Sequence, residues 1–162
     1  MKLEHKTLSR ISVLALLAVI GFDFLLHAGL LNRFYYTGHP FLLAPEQAFN
    51  LIPVGYVAFL LLILLIIWLM LEQGIRGGRE GAKFGLQVGG IIWGAFTLGL
   101  ISIANVQLKL MAGWFIGQTL ELGLAGWVVG TAFEADRLGP LAWRVIWIMA
   151  VCIILGVTLQ NV

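Results

Sequence analysis

Apolar residues run along this chain in five long blocks, at about 10–31, 50–73, 82–106, 110–133 and 140–160, and the short stretches between them hold most of the charge. Each block is long enough to cross a hydrocarbon core of roughly 30 Å as a helix. None alternates with the period of two that marks a barrel strand, and backbone groups in lipid must be satisfied within a helix or a closed barrel. The pattern therefore predicts an all-α integral membrane bundle of five transmembrane helices, a single domain over residues 1–162. Only "VQLK", Val106–Lys109, joins the third block to the fourth, so these two should form a tight antiparallel hairpin.

Composition agrees with the pattern. Hydrophobic residues make up 60% of the chain and charged residues 11%, with mean hydropathy +0.99, whereas in soluble domains about a quarter of residues are charged. Little sequence remains for a soluble domain. A formal charge of +2 gives no reason to expect nucleic acid as a partner. The basic residues have another use, which is orientation. Lys2, Lys6, Arg10, Arg76, Arg79, Lys83, Arg137 and Arg144 fall on one side of a five-span bundle, and only Arg33 and Lys109 on the other. This eight-to-two bias places the amino terminus in the cytoplasm and the carboxyl terminus outside. Tyr35, Tyr36 and Trp114 on the outer side, with Trp68 and Trp143 on the inner, are placed as interfacial anchors. The first block follows a basic segment, as a signal peptide does, but Asp23 interrupts it and no small-residue cleavage site follows, so it is read as a retained span.

The five helices differ in kind. "FLLLILLIIWLML", Phe59–Leu71, is apolar on every side, which suits a peripheral helix facing lipid. The third and fourth helices instead carry small residues at helical spacing: Gly85 and Gly89, Gly90 and Gly94, Gly113 and Gly117, Gly126 and Gly130. Such spacing lets backbones approach closely, so this pair is expected to form the packed centre.

Against this background the ionisable residues within the blocks are the candidate site. Asp23 and His27, in "GFDFLLHAGLL", are four apart and share a face of the first helix. Glu121 lies near the middle of the fourth helix, with Gln118 three residues before it. Antiparallel helices place Asp23 and Gln118 at similar depth, Glu121 slightly deeper and His27 shallower, so one cluster is geometrically feasible. A charge near the bilayer centre costs a few kcal/mol even on lenient scales. A shared proton or the imidazole would relieve the repulsion of two acids in low dielectric. The cluster reads either as a proton, cation or small-ligand site or as a hydrogen-bonded structural network.

Other polar positions have plainer uses. Glu72 and Arg76 are spaced for an ion pair at a helix end, Asn105 and Gln107 for capping the short hairpin connection, and Gln87 for an interhelical hydrogen bond. The outer loop, Asn32–Asn50, with His39 and two prolines, is read as a connector on the headgroups, or as a re-entrant lid or a partner surface. "GIRGGREGAK", Gly74–Lys83, lacks the ending of a phosphate-binding loop and suits attraction to anionic lipid. No catalytic motif and no cysteine pair is present, Cys152 stands alone as filler, and no metal site, enzyme activity or particular cofactor is indicated. One histidine within the spans rules out an intrachain bis-histidine haem and leaves only single axial ligation to consider.

The aspartate of "GFDFLLHAGLL", the following "NRFYYTGHPFLLAP" and the acid of "GQTLELGLAGWVVG" together resemble the small bacterial multi-pass membrane families catalogued as DUF2177 and DUF1761. The third helix, "WGAFTLGLISIAN", lacks the acid of the first family, and the span from Pro140 is additional. The resemblance implies a helical bundle in a bacterial inner membrane and brings no activity with it.

Two functional expectations follow. The first is a non-enzymatic accessory or interaction subunit, whose partners are the lipid bilayer and other membrane subunits or further copies of itself. The alternative is a protein that binds or moves a proton, cation or small solute through Asp23, His27, Gln118 and Glu121.

Overall fold

The computed structural model describes residues 5–35 and 42–161, and every regular element among them is helical. Lys2, Tyr36, His39 and Pro40, which entered the sequence reading, lie outside the described residues. Helix α1 (His5–Phe24) runs on into a π-helical segment, Leu25–Leu30, followed by the short α2 (Asn32–Tyr35). The long helices α3 (Pro45–Glu72), α4 (Gly78–Ile103), α5 (Leu108–Glu134) and α6 (Gly139–Gln160) complete the bundle.

Four of these are long and apolar enough to cross a membrane: Lys6–Leu30, Glu46–Glu72, Gly78–Ile103 and Gly139–Gln160. Their outward faces carry exposed large apolar side chains such as Leu61, Ile91 and Ile154, a surface that water does not favour and lipid does. The fifth expected span, α5, has the length, 27 residues, without the apolarity. Its place in the bundle explains the difference. It buries most of its residues between Leu110 and Phe133, leaving one face with Phe115, Ile116 and Leu120 exposed, and glycines, Gln118 and Glu121 occupy buried positions where a lipid-facing helix would carry leucine.

Helices α1 and α5 form the inner pair, α4 flanks α5, and α6 flanks α1 and its π-helical continuation. α3 lies against α1 and α5 through Ile63, Ile66, Ile67 and Met70, one face at helical spacing in its second half. Its first half stays exposed, and α3 barely touches α4. The α4–α5 pair is the most closely packed in the bundle. Within it α5 is the more buried; α4 buries Gly81, Gly85, Gly89 and Thr97 and lays Phe84, Val88, Ile92 and Trp93 against the core, with its other side exposed.

The α4–α5 seam is made by backbone meeting backbone. A methyl group added at Gly85 would overlap the Leu122 carbonyl, one at Gly81 the Gly126 carbonyl, one at Gly126 the Gly81 carbonyl and one at Gly130 the Gly77 carbonyl. Gly89 sits 3.1 Å from Thr119 by the same construction. Gly77, with φ of +84°, turns the chain into α4 and donates its N–H to the Gly130 carbonyl at 3.0 Å, so the glycine-rich connection locks onto α5. Gly113 and Gly117 serve another neighbour, taking Leu31 and Leu26 from the chain after α1. Gly94 meets only the Phe115 ring, and Gly90 faces open space, because both lie off the seam. A second close approach, unmarked by any G-x-x-x-G spacing, joins α6 to α1 where Gly21 abuts Met149 and Gly156 abuts Phe24.

Two smaller expectations also change. α3 ends at Glu72, so Arg76 lies beyond the helix and the spacing for their ion pair is not realised; Lys83 and Glu80 pair instead at 2.9 Å. Gln107 precedes α5 without a side-chain cap, and Gln87 is exposed rather than hydrogen-bonded across a helix interface.

Because the seam excludes a methyl group, Gly85→Ala and Gly126→Ala should each destabilise the protein by about 3 kcal/mol or more, at the upper end of overpacking costs. Gly90→Ala should be neutral or gain up to about 1 kcal/mol from helix propensity. Unfolding in detergent, scored for all three, checks this; equal effects would show that the seam does not carry the fold.

Candidate functional site

The π-helical segment sets the site's geometry. Leu31 N–H donates to the Leu26 carbonyl at 2.8 Å, five residues back, so the helix widens around His27 before the chain turns into α2. The turn carries Tyr35 back over His27, with ring centroids 5.7 Å apart. Tyr35 Oη hydrogen-bonds His27 Nδ1, and Trp114 Nε1 of α5 donates to the same oxygen at 2.7 Å. On the other edge of the imidazole, Nε2 lies 3.2 Å from Asp23 Oδ1 and 3.0 Å from Gln118 Nε2. Gln118 also hydrogen-bonds the Asp23 carboxyl. One connected chain, Trp114–Tyr35–His27–Asp23–Gln118, therefore spans from α5 to the end of α1 and back.

Three of the four expected site residues meet in this chain: Asp23, His27 and Gln118. The fourth does not join it. Glu121, one turn further along α5, is 1% exposed, and neither carboxyl oxygen has a hydrogen-bond partner among the described residues. The Oε1 atom of Gln118 is likewise buried and unpartnered.

Tyr35 and Trp114 were expected only as interfacial anchors; the structure makes both members of the polar chain. The one available signal was the spacing of Trp114 and Gln118, four apart on one face of α5. Nothing in the sequence marked the π-helical turn that brings Tyr35 to His27.

The chain forms one wall of an open cavity of about 840 Å³, lined by the end of α1, its π-helical continuation, α2, the first half of α3, the last half of α4, part of α5 and Gln160 of α6. This volume lies in the range of small-molecule sites. Asp23, His27, Asn32, Tyr35, Tyr56 and Gln118 give it polar groups, while Phe24, Phe49, Phe59, Trp93, Phe96 and Leu100 give it an apolar, largely aromatic lining. No lysine or arginine lines it among the described residues. Both ring nitrogens of His27 are engaged, leaving neither for an axial bond to haem iron. Among the described residues no group of three or more His, Cys, Asp or Glu side chains is placed to hold a metal.

The two buried polar residues of α5 should respond oppositely to an apolar side chain of similar size. Glu121→Met removes an acid that has lost its solvation without gaining a partner, and should raise stability by about 1–3 kcal/mol. Gln118→Met orphans His27 and Asp23 and should lower stability by about 1–3 kcal/mol. Thermal unfolding of both variants decides. A destabilising Glu121→Met would mean that the carboxyl is satisfied in the membrane.

No family model matches the chain, and neither a curated protein nor a solved structure does.

Proposed function

We propose that this protein is a non-enzymatic, five-span protein of a bacterial inner membrane that binds a small, membrane-dissolved molecule in the cavity beside Asp23, His27, Tyr35 and Gln118. The carrying observation is the pairing of a large aromatic cavity with a polar chain confined to one wall. An apolar pocket with a few convergent polar groups is the ordinary form of a small-molecule site. A purely structural network would not need so much empty space beside it. The absence of Lys and Arg from the described lining disfavours phosphate-bearing lipids and suits an uncharged or cationic polar group.

The five-span count rests on the 27-residue length of α5 and its hairpin with α4. The orientation rests on the eight-to-two Lys and Arg bias, and it places the cavity in the outer half of the membrane. The bacterial assignment follows the resemblance to DUF2177 and DUF1761, which adds no activity. A second reading, the accessory or interaction subunit, draws support from the outward face of α4, where Gln87 is exposed and Gly90 and Gly99 meet open space. Other membrane subunits or a second copy of the chain would be its partners.

Native mass spectrometry of protein extracted gently from its own membrane separates the two. The binding reading expects a co-purifying apolar small molecule. It should be lost in Gly55→Trp, which puts a large side chain into the cavity from a position where an added Cβ meets nothing within 4 Å. The variant's unfolding temperature should be unchanged. Stoichiometric protein partners with no small molecule would favour the subunit reading. Labelling of Asn161→Cys from outside the cell, in a Cys152→Ser background, tests the orientation; labelling only from the cytoplasmic side would refute it.

A further inference from the structure

Asp23 is the only carboxyl that lines the cavity among the described residues, and its side chain keeps 16% of its surface exposed. A carboxylate offers about four lone-pair sites. Its partners among the described residues, His27 Nε2 at 3.2 Å and the Gln118 amide, fill at most two of them, whichever ring nitrogen of His27 carries the proton. Acceptor capacity is therefore left over on a side chain that reaches the cavity. No fixed cation offsets it. The titratable side chains within electrostatic reach of Asp23 are His27, Tyr35 of α2, Tyr56 of α3 and Glu121 of α5, and α4 and α6 bring no lysine or arginine to the lining among the described residues. The other walls are aromatic. Trp93 and Phe96 of α4 meet edge to face with ring centroids 5.3 Å apart, and Tyr56 and Phe59 of α3 lie 6.4 Å apart. The faces of such rings attract cations, most strongly where water is excluded.

We propose that the occupant is a largely apolar amine, held as its ammonium ion with an N–H donated to the Asp23 carboxylate and its body against the rings of Phe59, Trp93 and Phe96. The inference rests on the binding reading above and narrows it. An amine reaches this site from the membrane without carrying charge through lipid. Arriving as the free base at a protonated Asp23, it takes the proton: the carboxyl O–H bond breaks, the nitrogen lone pair forms an N–H bond, and the two ions remain paired. An ammonium ion arriving at an ionised Asp23 gives the same complex. An inorganic cation would instead have to give up its water to rings that cannot replace it. An anion would meet the Asp23 carboxyl and no lysine or arginine among the described lining residues.

The test uses the full chain in lipid nanodiscs, with empty nanodiscs as the reference for partition into lipid, and two probes of nearly equal size, nonylcyclohexylamine and nonylcyclohexanol. The amine should bind about tenfold more tightly, the equivalent of about 1.4 kcal/mol. In Asp23→Asn the two should bind equally. A second readout keeps the native side chain. Asp136 is the only other aspartate, so ¹³C-carboxyl aspartate in an Asp136→Asn background reports Asp23 alone in isotope-edited infrared spectra. With the amine bound, Asp23 should show carboxylate bands and no protonated carboxyl band. Equal binding of the two probes to the unaltered protein overturns the amine inference while leaving the cavity reading intact. A preference that survives in Asp23→Asn, or a protonated Asp23 band at saturating amine, overturns the role of Asp23 as counter-ion. Saturable binding of neither probe overturns both the inference and the cavity reading. Because the probes are compared first on the unaltered protein and the band is read on the native carboxyl, an Asp23→Asn chain that fails to fold does not protect the proposal.

Discussion

The fold depends on how closely α4 can approach α5. Gly81 and Gly85 on one helix and Gly126 and Gly130 on the other leave no side chain of their own in the seam, so there each backbone lies against its neighbour's carbonyl groups. In lipid, where hydrophobic attraction between helices is absent, such contact is a main source of association. The consequence reaches beyond the pair. With α4 held to α5 and α3 anchored to α1 and α5 only through its second half, α3 and α4 stay apart over the remainder of their length. The cavity is the space that this separation leaves, and Asp23, His27, Tyr35 and Gln118 stand at its edge because α1 and α5 are the inner pair.

The same constraint explains the most polar helix of the bundle. Most of α5 faces other helices and only Phe115, Ile116 and Leu120 present large exposed side chains, so its inward faces tolerate Gln118, Glu121 and a run of glycines that would cost a peripheral helix its place in the membrane. The π-helical turn supplies the second requirement. By widening the chain around His27 it exposes both edges of the imidazole, one to Tyr35 and one to Asp23 and Gln118. A regular helix continuing past Leu30 would have carried Tyr35 away along the helix axis instead of back across His27.

Much of this was legible in the amino-acid sequence, for identifiable reasons. Long apolar blocks report helices directly, and the small-residue spacing on α4 and α5 reported a close approach. It could not report which of the two helices was the more buried, because a stripe of glycines looks the same on a helix that uses one face as on a helix packed on several sides. The pairing of Gln118 with Asp23 and His27 could be reached from depth alone, since antiparallel helices in one bilayer share a coordinate along its normal. Glu121 could not be separated from them in this way, because a single turn along α5 changes its facing more than its depth. Tyr35 was hidden for a different reason: its contact with His27 depends on a local departure from α-helical geometry that no residue in "LLHAGL" announces. The Gly21–Met149 and Gly156–Phe24 contacts escaped notice because each involves an isolated glycine meeting a larger residue.

The central claim is that the space between α3 and α4 is an occupied binding cavity rather than a packing fault. An electron cryomicroscopy map of the protein in nanodiscs prepared from its native lipids addresses this most directly, with a bound rigid antibody fragment supplying mass. The account predicts density filling the cavity, with one end within hydrogen-bond distance of the Asp23 carboxyl and its body along Trp93 and Phe96, and α5 spanning the bilayer beside α1. A map in which the first half of α3 closes onto α4, with no space beside Tyr35, would contradict it.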